Sequence, residues 1–444
     1  MTGRALSTGQ VAAFASPGFA LAALALPLAA ILPPLYAELG ISLTAVGTIF
    51  MLARFFDGLT DPLCGVLGDR VSTRWGRRRP AIVLGIPILL IGVWWLFMPP
   101  DPATETALLI SLLIMYVGWT LLSISHTAWA AELSGDYDQR TRIMGAVQIC
   151  GLTGAVGVLL LPAVMDQLYP DGGMRMRGMA MGLLILIATP ITFLLAFRSV
   201  GESPGRPATN LPLGTAWRAI RDSHGLRRLL LADLLMGLQG GINGAVHFFF
   251  VIHVLKLPEA ASLFLVLIFA MGLACVPLFV WISKRFGKHQ TLCFAALQST
   301  VATGTFFILP SGSFWWVFLI FLMVGVNFGA KDMLMRSIMA DIVDQDRLAT
   351  GVDRSALYYS MLTLTSKIAA ALAVGIIYPV LDLVGFDPTG DNSQATLDAV
   401  RIVVATSPTA ITLLVALIMW RFPIGRAEQA SLRARIEAQA STTG

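Results

Sequence analysis

Charged residues are scarce in this sequence, at 13% of its 444 residues, whereas 56% of the residues are hydrophobic. A soluble domain usually carries about 25% charged residues. This composition therefore excludes an ordinary soluble protein and favours a membrane protein. The formal net charge is only +5, and the basic residues lie in particular loops, which argues against a nucleic-acid-binding surface.

Cysteines and catalytic motifs are scarce too. The four cysteines, Cys64, Cys150, Cys275 and Cys293, have no spacing typical of a metal site or a disulfide framework. We expect them to fill small gaps in packing. There is no nucleophile beside a candidate base and no phosphate-binding loop of the GxxxxGK type. The sequence therefore predicts a protein that is not an enzyme, needs no cofactor and does not use ATP.

Long apolar segments make up most of the chain. About twelve of them reach the roughly 20 residues that cross a bilayer as a helix: 13–38, 43–67, 81–99, 107–131, 143–165, 179–197, 229–255, 259–283, 291–309, 314–338, 356–383 and 398–421. The longest polar stretch between them separates six from six. We predict an all-α membrane protein of twelve transmembrane helices in two six-helix bundles, 1–198 and 229–422, with a cytoplasmic linker at 199–228 and a cytoplasmic tail at 423–444.

Basic residues mark one side of the predicted membrane. Most of the 31 lysines and arginines fall on the termini and on alternate loops, so both termini are predicted to be cytoplasmic. The loop after the second span contains Asp69, Arg77 and Arg78. Two interpretations stay open: salt bridges among these residues form a cytoplasmic gate, or the loop is an orientation signal alone.

Two acids in the second span, Asp57 and Asp61, are the most informative residues. They lie four apart and therefore share one face of a helix. Because a charge at the bilayer centre costs at least about 2.5–3.5 kcal/mol, we expect them to face a protein-lined cavity. There the carboxylates, with the hydroxyl of Thr60 nearby, would bind Na⁺ or Li⁺ or hold a proton. A static ion pair between Arg54 and Asp57 is the alternative.

Lys367 is a second charge inside a predicted span, the eleventh. Its ammonium needs an anionic partner, and the pair Asp57 and Asp61 is the nearest candidate in kind. If the lysine and the acids meet across the two bundles, cation binding would change what Lys367 pairs with. Cation binding would then be coupled to the pairing of Lys367. A fixed salt bridge between helices is the alternative.

Polar residues at other points of the spans are candidate binding residues for a small polar molecule. They are Ser125, His126 and Trp129 in the fourth span, Gln148 in the fifth, Gln239 and Asn243 in the seventh, and Lys331 and Asp332 in the tenth. A tryptophan face suits a sugar ring or a cation. Packing for His126, and internal bracing by Lys331 and Asp332, are the alternatives.

Four segments in register resemble the glycoside–pentoside–hexuronide:cation symporters of the major facilitator superfamily. The second helix of that family and its following loop are similar to VGTIFMLARFFDGLTDPLCGVLGDR (46–70) and GRRRP (76–80), and its fourth helix to SHTAWAAELSGDYDQRTR (125–142). Its tenth-to-eleventh-helix signature resembles MADIVDQD (339–346) and GVDRSALYYSMLTLTSK (351–367). The resemblance covers most of the chain and implies the major facilitator fold.

The resemblance also implies roles for single residues. In the family, paired aspartates of the second helix bind the coupling cation, and they match Asp57 and Asp61. The arginine before them is matched by Arg54, the lysine of the eleventh helix by Lys367, and a sugar-contacting tryptophan by Trp129.

Other features of the melibiose-permease-type members are missing. Their sugar-binding acid of the first helix has no counterpart, because the first span contains no acid up to Tyr36. At the position of a second sugar-binding acid this sequence has Ser125, and at the position of an expected arginine it has Cys150. The resemblance thus implies a cation site together with a solute other than a galactoside: another glycoside, a uronide or an amphiphile.

The combined expectation is a monomeric secondary active transporter of a bacterial inner membrane. It would couple Na⁺ or H⁺, with Li⁺ as a possible substitute, to symport of a small polar, sugar-like solute by alternating access. Two alternatives stay open: a proton-driven exporter or carrier of a lysolipid-like amphiphile, and an assembly factor or sensor that transports nothing. The acid pair argues against the last, since a scaffold has no need of charges inside a bilayer.

Overall fold

The computed structural model describes residues 6–70, 76, 78–133, 137–169, 173–201, 219–350, 354–423, 425, 428 and 431. Every extended run of regular structure in this part of the chain is helical. The first helices are α1 (Thr8–Ala15), α2 (Pro17–Ala30), α3 (Leu32–Glu38), α4 (Leu43–Arg70), α5 (Arg79–Phe97), α6 (Glu105–Glu132), α7 (Tyr137–Leu168) and α8 (Gly173–Ser199).

The later helices are interrupted more often. They are α9 (His224–Phe249) with a π-helical turn (Phe250–Val254), α10 (Ala261–Ala274), α11 (Val276–Phe286), α12 (Lys288–Gly304), α13 (Phe314–Val326), α14 (Ala330–Thr350), α15 (Ser355–Leu383) and α16 (Gln394–Trp420). The α9 helix begins earlier than the predicted residue 229 because Ser223 caps it, accepting a hydrogen bond from the N–H of Leu226.

Ten of the described helical segments are long and apolar enough to cross a membrane, and eleven if a bent pair counts as one span. That pair, Pro258–Ala274 and Val276–Phe286, meets at 42°. The α12 helix has 17 residues, fewer than the roughly 20 that a span needs. The all-helical membrane architecture is thus confirmed, and the number twelve stays a prediction.

Helices α4 and α15 approach each other very closely near the start of α4. A Cβ atom on Gly47 would lie 2.9 Å from the carbonyl oxygen of Val374, and one on Gly375 would lie 2.5 Å from Sδ of Met51. At Gly47 a Cβ atom would meet backbone and force the helices apart, whereas at Gly375 it would meet only the side chain of Met51. The hydroxyl of Thr44 donates to Asp382 at the same end. We call this end of the molecule the closed face.

Two hydrophobic cores show where the helices join. The larger core contains buried residues from α1–α8 together with residues from α9, α10, α13, α15 and α16, such as Val46 and Ile377. The smaller core consists only of residues after 218, including Tyr358 at the start of α15. The early and late helices therefore share a core at the closed face, while the late helices have a separate core at the opposite end.

Candidate functional site

A carboxylate pair lies where α4, α6 and α15 meet. Lys367 of α15 donates a hydrogen bond to Oδ2 of Asp57 at 2.8 Å and another to Asp61. The hydroxyl of Thr120 on α6 lies 2.9 Å from Oδ1 of Asp57 and 3.1 Å from Oδ1 of Asp61. These four residues, here called the tetrad, place the two acids side by side, as their spacing of four predicts.

The members of the tetrad differ in exposure. The side chain of Asp57 is 2% exposed and that of Asp61 is 28% exposed, while Lys367 is 25% exposed. One ammonium balances only one of two carboxylates. With both acids ionised, the tetrad keeps one negative charge, and its accessible edge lies at Asp61. Such a site can accept a monovalent cation or a proton.

Thr60, predicted as part of the cation site, and Arg54, predicted to couple charges beside it, make different contacts. The hydroxyl of Thr60 donates to the backbone carbonyl of Asp57 at 3.0 Å, within its own helix. The guanidinium carbon of Arg54 lies 5.2 Å from the ring centre of Tyr116 and 5.8 Å from that of Trp119. The static Arg54–Asp57 ion pair weighed above is absent from the described part of the chain.

Trp129 and His126 lie in an aromatic cluster instead of along a cavity. Trp129 has no exposed surface, and its ring centre is 5.0 Å from Phe14 and 5.9 Å from Phe197. His126 is 1% exposed, stacks on Phe14, and bonds through Nε2 to the carbonyl oxygen of Phe14 at 3.0 Å. Ser125 beside it is also buried. In this conformation the packing closes these residues off from a solute.

A second buried acid, Asp233 of α9, also contacts α15. Its Oδ2 accepts hydrogen bonds from the hydroxyls of Thr365 at 2.8 Å and Ser366 at 3.1 Å. The Nζ atom of Lys331 lies 3.9 Å from Asp233 and 3.8 Å from Asp332, beyond hydrogen-bond distance of either. The side chain of Asp332 is 76% exposed.

The remaining polar candidates are dispersed. Gln148 is exposed and Gln239 is half-buried. The Oδ1 atom of Asn243 is buried without a hydrogen-bond partner among the described residues. His247, on the same helix face as these last two, bonds through Nε2 to the carbonyl oxygen of Ala261 at 2.7 Å.

Most of the predicted cytoplasmic gate falls outside the described residues. This applies to Arg77 and to the side chain of Asp69, whereas Arg78 is buried. The next residue, Arg79, donates to the carbonyl oxygens of Phe197 at 3.2 Å and Val200 at 2.6 Å. It therefore ties the start of α5 to the end of α8, where a cation is favoured by the helix dipole.

An apolar groove with a volume of about 490 Å³ lies elsewhere, between the ends of α5 and α6 near the closed face. Its walls include Tyr36, Trp94, Trp95 and Ile110. None of the predicted site residues lines this groove, so it is separate from the tetrad.

Sequence reasoning missed three features of this region: Thr120, the Tyr116–Trp119 pair, and the bonds of Asp233. A single hydroxyl or aromatic residue in an apolar helix gives no signal of function. Asp233 lies near the start of its span, where an acid is tolerated without a partner. The close sequence spacing of Tyr116, Trp119 and Thr120 would have indicated a shared site only if Arg54 and Asp57 had been known to face α6.

The fold and the charged interior define a class, the polytopic helical membrane proteins. By structure, the chain is similar to a crystal structure of the nucleoside transporter NupG, with a TM-score of 0.68 at 12% identity, covering 93% of this chain and 98% of that one. This likeness concerns the fold alone.

Residues 13–426 match the family described as MFS/sugar transport protein, and the chain belongs to that family. It is 24% identical to a glucuronide carrier protein homolog of Escherichia coli K12, over 87% of this chain and 85% of that one. It is 23% identical to the inner membrane symporter YicJ of the same organism, over 86% and 84%. The chain is thus a secondary active transporter and an integral membrane protein, not an enzyme.

Proposed function

We propose that the chain couples a monovalent cation to the symport of a small polar, sugar-like solute. The observation that carries this proposal is the bridge from Lys367 on α15 to Asp57 and Asp61 on α4. Helices α4 and α15 come from opposite ends of the sequence, and their ion pair is inside the membrane region. A glucuronide carrier and a symporter among the relatives support the same mode of action.

Lys367 acts in this proposal as an internal stand-in for the coupling cation. When Na⁺ or H⁺ binds the two carboxylates, it balances the negative charge that Lys367 leaves and takes over oxygens that now contact the ammonium, so the link between α4 and α15 weakens. A cation therefore changes the balance between the conformation with a closed face and the alternative one. Coupling between cation and solute is reciprocal: each raises the affinity for the other by the same factor.

The proposal also includes the membrane topology of the chain. If α12 and the bent pair α10–α11 each cross the membrane, the spans number twelve, in bundles 1–198 and 229–422 with a linker at 199–228 and a tail at 423–444. The smaller core, made only of residues after 218, supports this division. Both termini lie in the cytoplasm by the positive-inside rule, in a bacterial inner membrane, and the carrier works as a monomer.

The test is a titration of the purified protein with Na⁺, Li⁺ and pH steps, followed by intrinsic tryptophan fluorescence. Wild type is compared with Asp61→Asn, and with Asp398→Asn as a matched change at an exposed acid of α16. A saturable Na⁺ response lost only in Asp61→Asn supports sodium coupling, and a response to pH alone supports proton coupling. No response to either in wild type would contradict cation-coupled symport.

A further inference from the structure

A buried ion pair lies where α7 ends and α8 begins. The Nε atom of Arg177 on α8 donates a hydrogen bond to Oδ1 of Asp166 on α7 at 2.6 Å, and the two side chains are 9% and 12% exposed. Burying two charges is costly even when they pair, so such a pair is weak evidence for a purely stabilising role. A second contact of the same guanidinium indicates a further role.

The guanidinium of Arg177 also reaches α9. Its central carbon lies over the ring of Phe248, 5.1 Å from the ring centre. Arg177 is 7% exposed, and Phe248 has no exposed surface. A cation over an aromatic face is attracted to the ring, most strongly where both groups are shielded from water. Arg177 therefore links α7 and α8, from the early part of the chain, to α9, from the late part.

This contact lies at the closed face. The hydroxyl of Tyr378 on α15 donates to the carbonyl oxygen of Ala245, three residues before Phe248, at 3.1 Å. A Cβ atom on Gly47 of α4 would lie 3.0 Å from Cβ of Tyr378, so the end of α9 lies beside the close contact between α4 and α15. Opening of this face must separate early helices from late ones, and Phe248 would then leave Arg177.

The two contacts of Arg177 respond differently to such a movement. Asp166 and Arg177 both belong to early helices that contact each other, so their ion pair can persist while the face opens. The contact with Phe248 cannot. Directly after Phe248 and its neighbour, α9 continues as a π-helical turn, Phe250–Val254, and such turns are frequent at functional sites. Asp166 thus positions the guanidinium, and Phe248 is the partner that changes.

We propose that the contact between Arg177 and Phe248, with Asp166 as the positioning residue, is a latch that holds the closed face shut during the transport cycle. The latch does not depend on which cation or solute the transporter carries, so this inference goes beyond the proposed function. The tetrad lets a cation shift the conformational balance, whereas the latch contributes to that balance in the absence of ligands.

Maleimide labelling of Met51→Cys, in a protein without its native cysteines, tests the latch. Met51 lies against Gly375, so a cysteine at this position should react faster when the closed face opens. Arg177→Gln removes the charge, and Phe248→Leu removes the ring but keeps an apolar side chain. Each should raise the labelling rate about ten- to thirty-fold. Arg177→Lys, which keeps a cation, should raise the rate less.

Two controls separate the latch from a general effect on packing. Arg175→Gln removes an exposed arginine of the same helix and should leave the rate unchanged. The native Cys293, buried in the smaller core, reports loosening elsewhere. In a protein that retains only this cysteine, its labelling rate should not respond to Arg177→Gln or Phe248→Leu.

The double variant with Arg177→Gln and Phe248→Leu shows whether the two residues form one contact. If they do, it should be labelled no faster than the faster single variant. Unchanged labelling in either single variant would overturn the inference, as would effects that multiply in the double variant, an equal rise at Cys293, or a similar rise in Arg175→Gln. The fluorescence response to cations does not enter this measurement, so the latch and the proposed symport fail separately.

Discussion

Two buried carboxylate sites touch α15 within three residues of each other, and they are held in different ways. Asp233 is bound by the neutral hydroxyls of Thr365 and Ser366, with an ammonium at 3.9 Å. Asp57 is bound by the ammonium of Lys367 at 2.8 Å. A cation that enters the Asp57 site competes with the ammonium of Lys367, whereas the hydroxyls at Asp233 carry no charge that competes with a cation. The Asp233 site is thus suited to hold helices together, and the Asp57 site is suited to exchange partners.

The largest effect is expected when the ammonium of the tetrad is removed. In sodium-free buffer, Lys367→Met leaves two carboxylates without their cation and should cost about 3–5 kcal/mol of stability. Added Na⁺ should raise the melting temperature more in this variant than in wild type, because the cation no longer competes with Lys367. Thermal melts followed by fluorescence, in sodium or choline chloride, measure both effects.

The matched control for this variant is Lys331→Met, whose ammonium lies beyond hydrogen-bond distance of Asp233. It should lower stability less and show the sodium effect of wild type. If Lys367→Met melted at one temperature in both salts, the tetrad would not be the cation site.

A smaller effect is expected at the other acid. Asp233→Asn keeps an oxygen that accepts from Thr365 and Ser366 but leaves the Lys331 charge less compensated. We expect a loss of about 1–3 kcal/mol in stability and a sodium affinity within about two-fold of wild type. Melting curves and sodium titrations of the same preparation separate the two quantities. A sodium affinity reduced as strongly as in Asp61→Asn would show that the two acid sites act as one.

Removing one hydroxyl from each site tests whether the two acid sites differ in their response to sodium. Thr120→Val deletes the group shared by Asp57 and Asp61, and Thr365→Val deletes one of the two that hold Asp233. Each should cost about 1 kcal/mol in stability. Only Thr120→Val should also weaken sodium binding, by about five-fold, because its hydroxyl orients the carboxylates that bind the ion. Equal sodium affinities in the two variants would argue against this difference.

The sequence predicted the charged part of the tetrad because isolated charges in a bilayer are so unfavourable that they must find partners. Asp57, Asp61 and Lys367 stand out in apolar segments, and the structure brings them together. Thr120 was not foreseen, since a hydroxyl can bond to its own helix backbone and needs no distant partner.

The sequence also could not predict side-chain environments that are set by distant parts of the chain. Trp129 matches a sugar-contacting position by resemblance, yet Phe14 and Phe197 pack around it, and nothing near Trp129 in the sequence indicates this. Likewise, the proximity of Arg54 to Asp57 suggested an ion pair, but the structure directs the guanidinium to the rings of Tyr116 and Trp119.

The smallest effect is expected where α4 and α15 meet again, at the closed face. Thr44 donates to Asp382 near solvent, so this bond contributes less than the buried bridge, about 0.5 kcal/mol. Thr44→Val should therefore shift the conformational balance only about two-fold. In a protein without its native cysteines, the rate at which a maleimide labels Met51→Cys, which lies against Gly375, measures this shift.

Ser393→Ala, which removes only the cap of α16 on the same face, should leave the labelling rate unchanged. Lys367→Met should raise the labelling rate more than Thr44→Val does. The reverse order would mean that the surface bond, and not the tetrad, is the main link between the two helices.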